Sequence, residues 1–152
     1  MANEAKWTYA SQVTLESSGA SAANAAFVAA DDTTLASANH SNYPLADFQL
    51  KTVGFGAALT STGSWYLGLW RQDLNFDGTA GDEGAPTASN KLHFCGAFTL
   101  PNSAASNSTN YVQLTDVPLC ADQQFYVECQ LNTSLTAGWT LKVTPKTLVP
   151  GA

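Results

Sequence analysis

Charged side chains are scarce in this sequence. Only 12% of the 152 residues are Asp, Glu, Lys or Arg, about half of the ~25% that is typical of soluble domains. Arg71 is the one arginine among 6 basic residues, and 12 acidic residues bring the net charge to -6. Neutralising a nucleic-acid backbone requires clustered positive charge, and no Lys or Arg occurs between Leu92 and Leu141. We therefore expect no binding to nucleic acid.

Long apolar runs are missing too. No stretch approaches the roughly 18 uninterrupted apolar residues of a membrane span, and residues 1–10 lack the basic start and apolar run of a signal peptide. Three cysteines, an odd number, do not suggest the disulfide framework of a small secreted domain. We expect reduced thiols, no membrane association and synthesis in a cytoplasm. The surface must consist largely of neutral polar and small residues, and such a surface gives little protection against association with other proteins.

What the sequence does contain is the alternation of apolar and polar side chains. A period of two predicts strands with one buried face, and it runs through residues 6–16, 48–52, 65–70, 92–99, 111–114, 125–131 and 139–144. In the first run, Trp7, Tyr9, Val13 and Leu15 have the same parity. They are therefore expected on one face of one strand.

Seven to eight such strands without a long helix predict an all-β fold, an antiparallel β-sandwich. The jelly roll is the leading architecture, with one long loop at about residues 72–90, and an immunoglobulin-like sandwich is the alternative. The Ala-rich segment 22–38 is expected to hold a strand around Phe27-Val28, followed by a loop with one helical turn. We assign the chain to an N-terminal arm (1–6), a single sandwich domain (7–148) and a C-terminal tail (149–152).

One motif in the long loop has metal-binding chemistry. Alternating oxygen-bearing residues followed by a glycine resemble the first half of an EF-hand calcium loop. Gly84 stands where that pattern requires a glutamate, and the flanking segments are predicted strands rather than helices. A solvated polar loop is therefore the alternative. We expect no metal and no cofactor, with calcium as a weak candidate for these side chains: Asp73, Asn75, Asp77 and Glu83.

Catalytic signatures are missing as well. The two histidines, His40 and His93, would join Cys95 and Cys129 in a zinc site only if the fold assembled all four. The G-x-S-x-G turn of serine hydrolases, which exposes a nucleophilic serine, does not occur in the sequence. Adjacent acidic pairs in loops are more typical of hydrated charges than of a glycosidase acid/base couple. We expect a protein that is not an enzyme.

Aromatic side chains point to both faces of one predicted strand. Trp65 is at an odd-numbered position, like the other predicted core residues of its strand, whereas Tyr66 and Trp70 are at even-numbered positions and point to the opposite face. A strand that is apolar on both faces must have its outer side covered. Tyr66 and Trp70 are therefore candidates for an oligomer interface or, in a rival interpretation, for a carbohydrate-binding or receptor-binding platform that depends on calcium.

Three segments resemble those of a known family. They are the opening MANEAKWTYA, the stretch from SAANAAFVAADD to NHSNYPLADF, and the ending AGWTLKVTPK. They are similar to segments of small virion proteins of tailed bacteriophages, the capsid decoration (cement) proteins of the jelly-roll type. The resemblance implies a non-enzymatic homotrimer or dimer, made in the host bacterial cytoplasm, that binds the capsid exterior. It would bridge subunits of the major capsid protein and so stabilise the assembled shell.

No family motif assigns the contacting residues, so the candidates come from side-chain chemistry. Aromatic residues dominate interface energies, and an N-terminal arm can add a strand to the edge of a neighbouring sheet. Core burial is the alternative for Trp7. The long loop can reach a neighbour because loops of this length are rarely passive. The predicted capsid or oligomer contacts are Lys6, Trp7, Tyr9, Tyr66, Trp70 and Phe76.

Overall fold

The computed structural model describes residues 5–30, 43–60, 65–73, 85–87, 93–101, 104–119 and 123–149. Within these ranges the chain forms nine strands and no helix, and accordingly no helix suited to crossing a bilayer. The all-β prediction is confirmed. The strands are β1 Lys6–Tyr9, β2 Val13–Gly19, β3 Phe27–Ala29, β4 Leu45–Thr52, β5 Tyr66–Asp73, β6 Phe94–Thr99, β7 Asn110–Pro118, β8 Gln123–Gln130 and β9 Trp139–Val149.

The strands form two antiparallel sheets. The first has the order β1-β9-β4-β7, with β2 also paired to β9, and the second has the order β3-β8-β5-β6. Strands of the first half pair in reverse order with those of the second half: β2 with β9, β3 with β8, β4 with β7 and β5 with β6. This is the pairing of a long hairpin rolled into two layers. The predicted β-sandwich is confirmed, and the jelly roll stays our interpretation of its topology.

The core lies between the two sheets, and many of the alternating positions predicted from the sequence contribute to it. Trp139, Leu141 and Val143 of β9 are fully buried on one side. Phe48 and Phe125, from opposite sheets, pack with their ring centroids 4.8 Å apart. Burying each large apolar side chain contributes about 1.5–3 kcal/mol, so these strands form the stable body of the protein.

The N-terminal run is divided by a bulge rather than forming one regular strand. Tyr9 pairs with Lys146 in β1, whereas Val13 pairs with Val143 in β2. The three residues 10–12 therefore lie opposite only two residues of β9, 144 and 145. The extra residue also explains why nine strands form where seven to eight were predicted.

This bulge reverses the orientation of β1. Because side chains alternate with a period of two, one extra residue moves them to the other face. Leu15 is buried in the core, but Trp7 lies on the outer face and is 43% exposed. The expectation that Trp7 and Tyr9 share a face with Val13 and Leu15 is wrong, and so is core burial of Trp7.

Pro145 lies opposite the bulge. The amide of Ala10 donates to the carbonyl of Pro145 at 2.9 Å. The reciprocal bond cannot form because proline has no N–H. Proline inside a sheet is tolerated where the ladder is already interrupted, so Pro145 and the bulge occupy matching positions on neighbouring strands.

A second bulge lies in β6. Leu69 pairs with Gly96, yet the next residue, Trp70, pairs with Phe94. Phe94, predicted to share a face with Phe98, therefore lies on the outer face and is 52% exposed, whereas Phe98 is buried. That part of the strand prediction is wrong, because a skipped residue changes the parity.

The ends of the strands also refine the predicted boundaries. β1 begins at Lys6 and β9 ends at Val149, so both residues belong to strands. β5 continues through Asp73, so that residues 72 and 73 lie in the strand rather than in the predicted loop. β3 confirms the short strand predicted around Phe27-Val28, while the helical turn predicted after it falls on residues 31–42, outside the described residues.

Candidate functional site

Strand β1 places two aromatic side chains on the outer face at the edge of the first sheet. Trp7 pairs with Leu148 and Tyr9 pairs with Lys146. Trp7, Tyr9 and Leu148 are all exposed. We call these four residues the Trp7 patch. Large apolar side chains grouped on a surface in this way are typical of contact sites.

Lys146 lies beneath the Trp7 ring. Its Nζ atom is 4.6 Å from the ring centroid, within the range of a cation–π interaction. The same atom is 2.6 Å from Asp47 Oδ1 and 2.7 Å from Asp116 Oδ1. Lys146 is only 4% exposed. Burial alone would lower the pKa of Lys146, but the hydrogen bonds and charges of Asp116 and Asp47 outweigh it and raise the pKa.

The two carboxylates are themselves linked. The backbone of Asp116 has a left-handed conformation with φ 60, and its amide donates to Asp47 Oδ1 at 3.1 Å. The hydrogen bond from Lys146 lowers the pKa of Asp116, so this carboxylate is ionised at neutral pH. The three side chains join β4, β7 and β9 and hold the Trp7 ring in a defined position.

Amide side chains occupy the centre of the same face. Gln12 Nε2 donates to Gln49 Oε1 at 3.1 Å and to Thr144 Oγ1 at 3.4 Å. Farther along, Gln49, Gln113 and Tyr111 border a shallow groove of about 210 Å³, and Tyr111 is 76% exposed. The volume of this groove is below the roughly 300–1,000 Å³ of typical small-molecule pockets.

Trp70, another predicted contact residue, is packed within the protein itself. It is 5% exposed, and its indole lies over Gly68, where a Cβ atom would come within 2.7 Å of Nε1. The rings of Phe27 and Phe94 pack against it at centroid distances of 5.8 and 4.8 Å. Its N–H donates to Glu128 Oε2 at 2.8 Å. The same chain therefore covers this part of the outer face.

Strand β8 is buried on both faces next to Trp70. Glu128, whose alternation predicts a solvent-facing position, is buried and also accepts from Gln130 Nε2 at 2.7 Å. The hydroxyl of Tyr126 donates to Gln72 Oε1 at 2.8 Å, and burial raises the pKa of Tyr126. Tyr66 is half-buried on the same face. The alternation of the sequence does not reveal these polar partners, because it predicts that their side chains face solvent.

Among the described residues, the remaining candidates form no second site. In the described part of the chain, no group of three or more His, Cys, Asp or Glu side chains could hold a metal ion. Asp73 ends β5 and pairs with Gln123. Five candidate residues lie outside the described residues. They are the candidate calcium ligands Asn75, Asp77 and Glu83, the predicted contact residue Phe76 and the candidate zinc ligand His40.

Two of the three cysteines lie among the described residues. Cys95 is half-buried and Cys129 is fully buried, while Cys120 lies outside the described residues. Burial raises the pKa of the Cys129 thiol, which keeps it in the unreactive protonated form. Cys129 therefore acts as a small apolar side chain of the core.

Comparisons of the chain with protein-family models, with curated proteins and with solved structures found no match.

Proposed function

We propose that this protein is a structural virion protein that binds the exterior of an assembled phage capsid and stabilises it by bridging major capsid protein subunits. The Trp7 patch is the observation that carries the proposal. It offers exposed aromatic and aliphatic side chains at a sheet edge, on a domain with few charges. Adhesion needs no reacting group, so the proposed function is not enzymatic.

The Trp7 ring is suited to be an interface anchor. Trp and Tyr are enriched among the residues that dominate binding energies. The ion cluster of Lys146, Asp47 and Asp116 already holds the ring in place. Binding then loses less side-chain entropy, because part of the ordering has occurred before contact.

The stabilising effect follows from linkage. A protein that binds the assembled lattice more tightly than free subunits shifts the equilibrium towards the lattice. An oligomer, as a trimer or dimer, would touch several capsid subunits at once and gain from effective concentration. Weak individual contacts through Trp7 and Tyr9 would then be sufficient.

The rival function, a calcium-dependent carbohydrate-binding or receptor-binding module, receives less support. Its proposed platform consists of Tyr66 and Trp70. A sugar cannot stack on Trp70 while Phe27, Phe94 and Glu128 surround the ring, because only 5% of the residue is exposed. The Trp7 patch offers the more accessible aromatic surface.

Co-sedimentation tests the proposal. Phage particles that lack the protein are mixed with purified wild-type protein, with the double variant Trp7→Ala/Tyr9→Ala, or with Tyr111→Ala. Tyr111 is the matched control because it is an exposed aromatic on the same face but outside the patch. We expect the double variant to bind at least about tenfold more weakly and Tyr111→Ala to bind like wild type.

Particle stability provides the second readout. Particles that carry the protein should retain their DNA through heating and osmotic shock that open particles without it. The proposal fails if wild-type protein does not sediment with particles, or if its presence leaves their resistance unchanged.

A further inference from the structure

We infer that β1 exchanges between copies of this protein, so that residues 6–9 of one copy pair with β9 of another. This inference rests on the proposed function, because crowding on a capsid would bring the copies together. It identifies a second copy of this chain as the partner of the N-terminal edge. The surface that receives the strand is β9 from Lys146 to Val149, where β1 of the same chain now lies.

The first observation is how little β1 buries. All of its residues, Lys6–Tyr9, are exposed, although they are fully paired with β9. β2 is anchored differently. Leu15 is in the core, and Gly19 lies so close to the Trp139 ring that a Cβ atom there would overlap it. Detaching β1 would therefore expose far less apolar surface than detaching β2.

The second observation is a natural point of separation. The bulge at residues 10–12 lies between the two strands, and Pro145 opposite it offers no N–H to the ladder. The hydrogen bonds of β2 with β9 do not depend on those of β1. The chain can thus leave the sheet at Ser11 while β2 stays in place.

The third observation is the nature of the vacated surface. Removal of β1 would uncover an unpaired edge on β9, together with the Lys146 ammonium that Trp7 now covers. An open edge is a template for pairing with another strand. An identical segment from a second copy would restore the same register, from Lys6 opposite Val149 to Tyr9 opposite Lys146.

Exchange keeps the native contacts and changes only the chain that makes them. This is why swapping an identical element is a low-cost route to oligomers. In a single molecule the attached strand is favoured by its high local concentration. Copies held side by side raise the effective concentration of the neighbouring strand and reduce that advantage.

Two singly substituted chains test the inference directly. Thr8 and Thr147 are paired across β1 and β9, and the Cα separation of a paired position, about 4.5–5.5 Å, suits a disulfide. Thr8→Cys protein is mixed with Thr147→Cys protein at high concentration and oxidised with diamide. A disulfide between positions 8 and 147, identified by mass spectrometry of linked peptides, must join two copies because each chain carries only one of these cysteines.

A matched pair on β2 serves as the control. Thr14 and Lys142 are likewise paired, across β2 and β9. The mixture of Thr14→Cys with Lys142→Cys should form several-fold less interchain disulfide, because β2 is anchored in the core. The double variants Thr8→Cys/Thr147→Cys and Thr14→Cys/Lys142→Cys, diluted, should each close an intrachain disulfide and so show that both positions can react.

The outcomes separate the two proposals. Preferential interchain linkage between positions 8 and 147 supports exchange. Exchange is overturned if that link does not form although the double variant closes its own, or if both mixtures link equally. If wild-type protein sediments with particles but no exchange occurs, the proposed function stands and only strand exchange is overturned. If exchange occurs but the protein does not sediment with particles, strand exchange stands and the proposed function is overturned.

Discussion

The indole ring of Trp7 lies over the ammonium group of Lys146, with Nζ 4.6 Å from the ring centroid. The two residues differ sharply in exposure, since Trp7 is 43% and Lys146 4% exposed. The ring thus covers a charge that two carboxylates neutralise from below. The proposed contact surface and the stability of the first sheet are therefore coupled through one pair of side chains.

Trp7→Ala should lower the free energy of unfolding by about 1 kcal/mol, because it removes the cation–π contact with a largely desolvated lysine. Urea denaturation at neutral pH measures this change. Tyr111→Ala, on an exposed ring elsewhere on the same face, should stay within about 0.5 kcal/mol of wild type. Equal effects of the two substitutions would contradict the assigned role of Trp7.

Asp116→Asn should destabilise the protein at pH 7 but not in acid. The pKa of Asp116 is lowered in the folded state by the hydrogen bond from Lys146. Its carboxylate therefore contributes stability above the unfolded-state pKa of about 3.9, and this contribution is lost as the pH falls through the lower folded-state pKa. Asparagine tolerates the left-handed backbone of this position.

The urea midpoints of wild type and Asp116→Asn should accordingly converge as the pH falls from 7 to about 3. A difference between the midpoints that is the same at both pH values would show that the substitution acts through packing rather than charge.

Gly19→Ala should destabilise the protein by about 3 kcal/mol, since the added methyl group would overlap the ring of Trp139 and overpack the core. The indole N–H of Trp139 donates to the carbonyl of Ala20 at 2.8 Å, which prevents the ring from simply moving away. Thermal unfolding measures the effect. Ser17→Ala, an exposed position on the same strand, should leave the melting temperature nearly unchanged; a similar loss in both variants would refute the steric explanation.

Trp70→Ala should destabilise the fold by about 3–5 kcal/mol, as expected for a buried tryptophan. The substitution removes the contacts with Phe27 and Phe94 and a donor to Glu128. An open sugar platform predicts the opposite, namely unchanged stability with loss of glycan binding. Urea denaturation together with a glycan-array screen distinguishes the two roles.

Cys129 should react with a thiol reagent such as DTNB much more slowly than Cys95 in the native protein. Its side chain is inaccessible, and burial raises its pKa, so that the thiolate is scarce at neutral pH. Peptide mapping after partial labelling identifies the modified cysteine. Rapid labelling of Cys129 under native conditions would mean that β8 opens readily.

Regular alternation made much of the fold predictable. In β9 the positions Trp139, Leu141 and Val143 are predicted as core and are buried, because no extra residue disturbs the period of two. The faces of Trp7 and Phe94 were not predictable. Each lies beyond a one-residue bulge, and a bulge leaves the composition of a strand unchanged while reversing the direction of its side chains.

The candidate site was only partly predictable for a different reason. Trp7 and Tyr9 are visible as aromatics near the beginning of the sequence. Asp47, Asp116 and Lys146 meet only when β4, β7 and β9 pair, so their separation along the chain hides the cluster. Pro145 was an available signal, since a proline within an alternating run indicates a bulge or an edge.

The bulge between β1 and β2 makes the surface chemistry of this protein depend on a single codon. Loss of one residue among Ala10, Ser11 and Gln12 would leave the backbone able to pair with β9 while turning β1 over. Thr8 would then face outward, and the aromatic rings would point towards the interior. A natural variant with such a deletion would keep its fold but show a different face to its neighbours, which makes this short segment a place where partner choice can change in one mutational step.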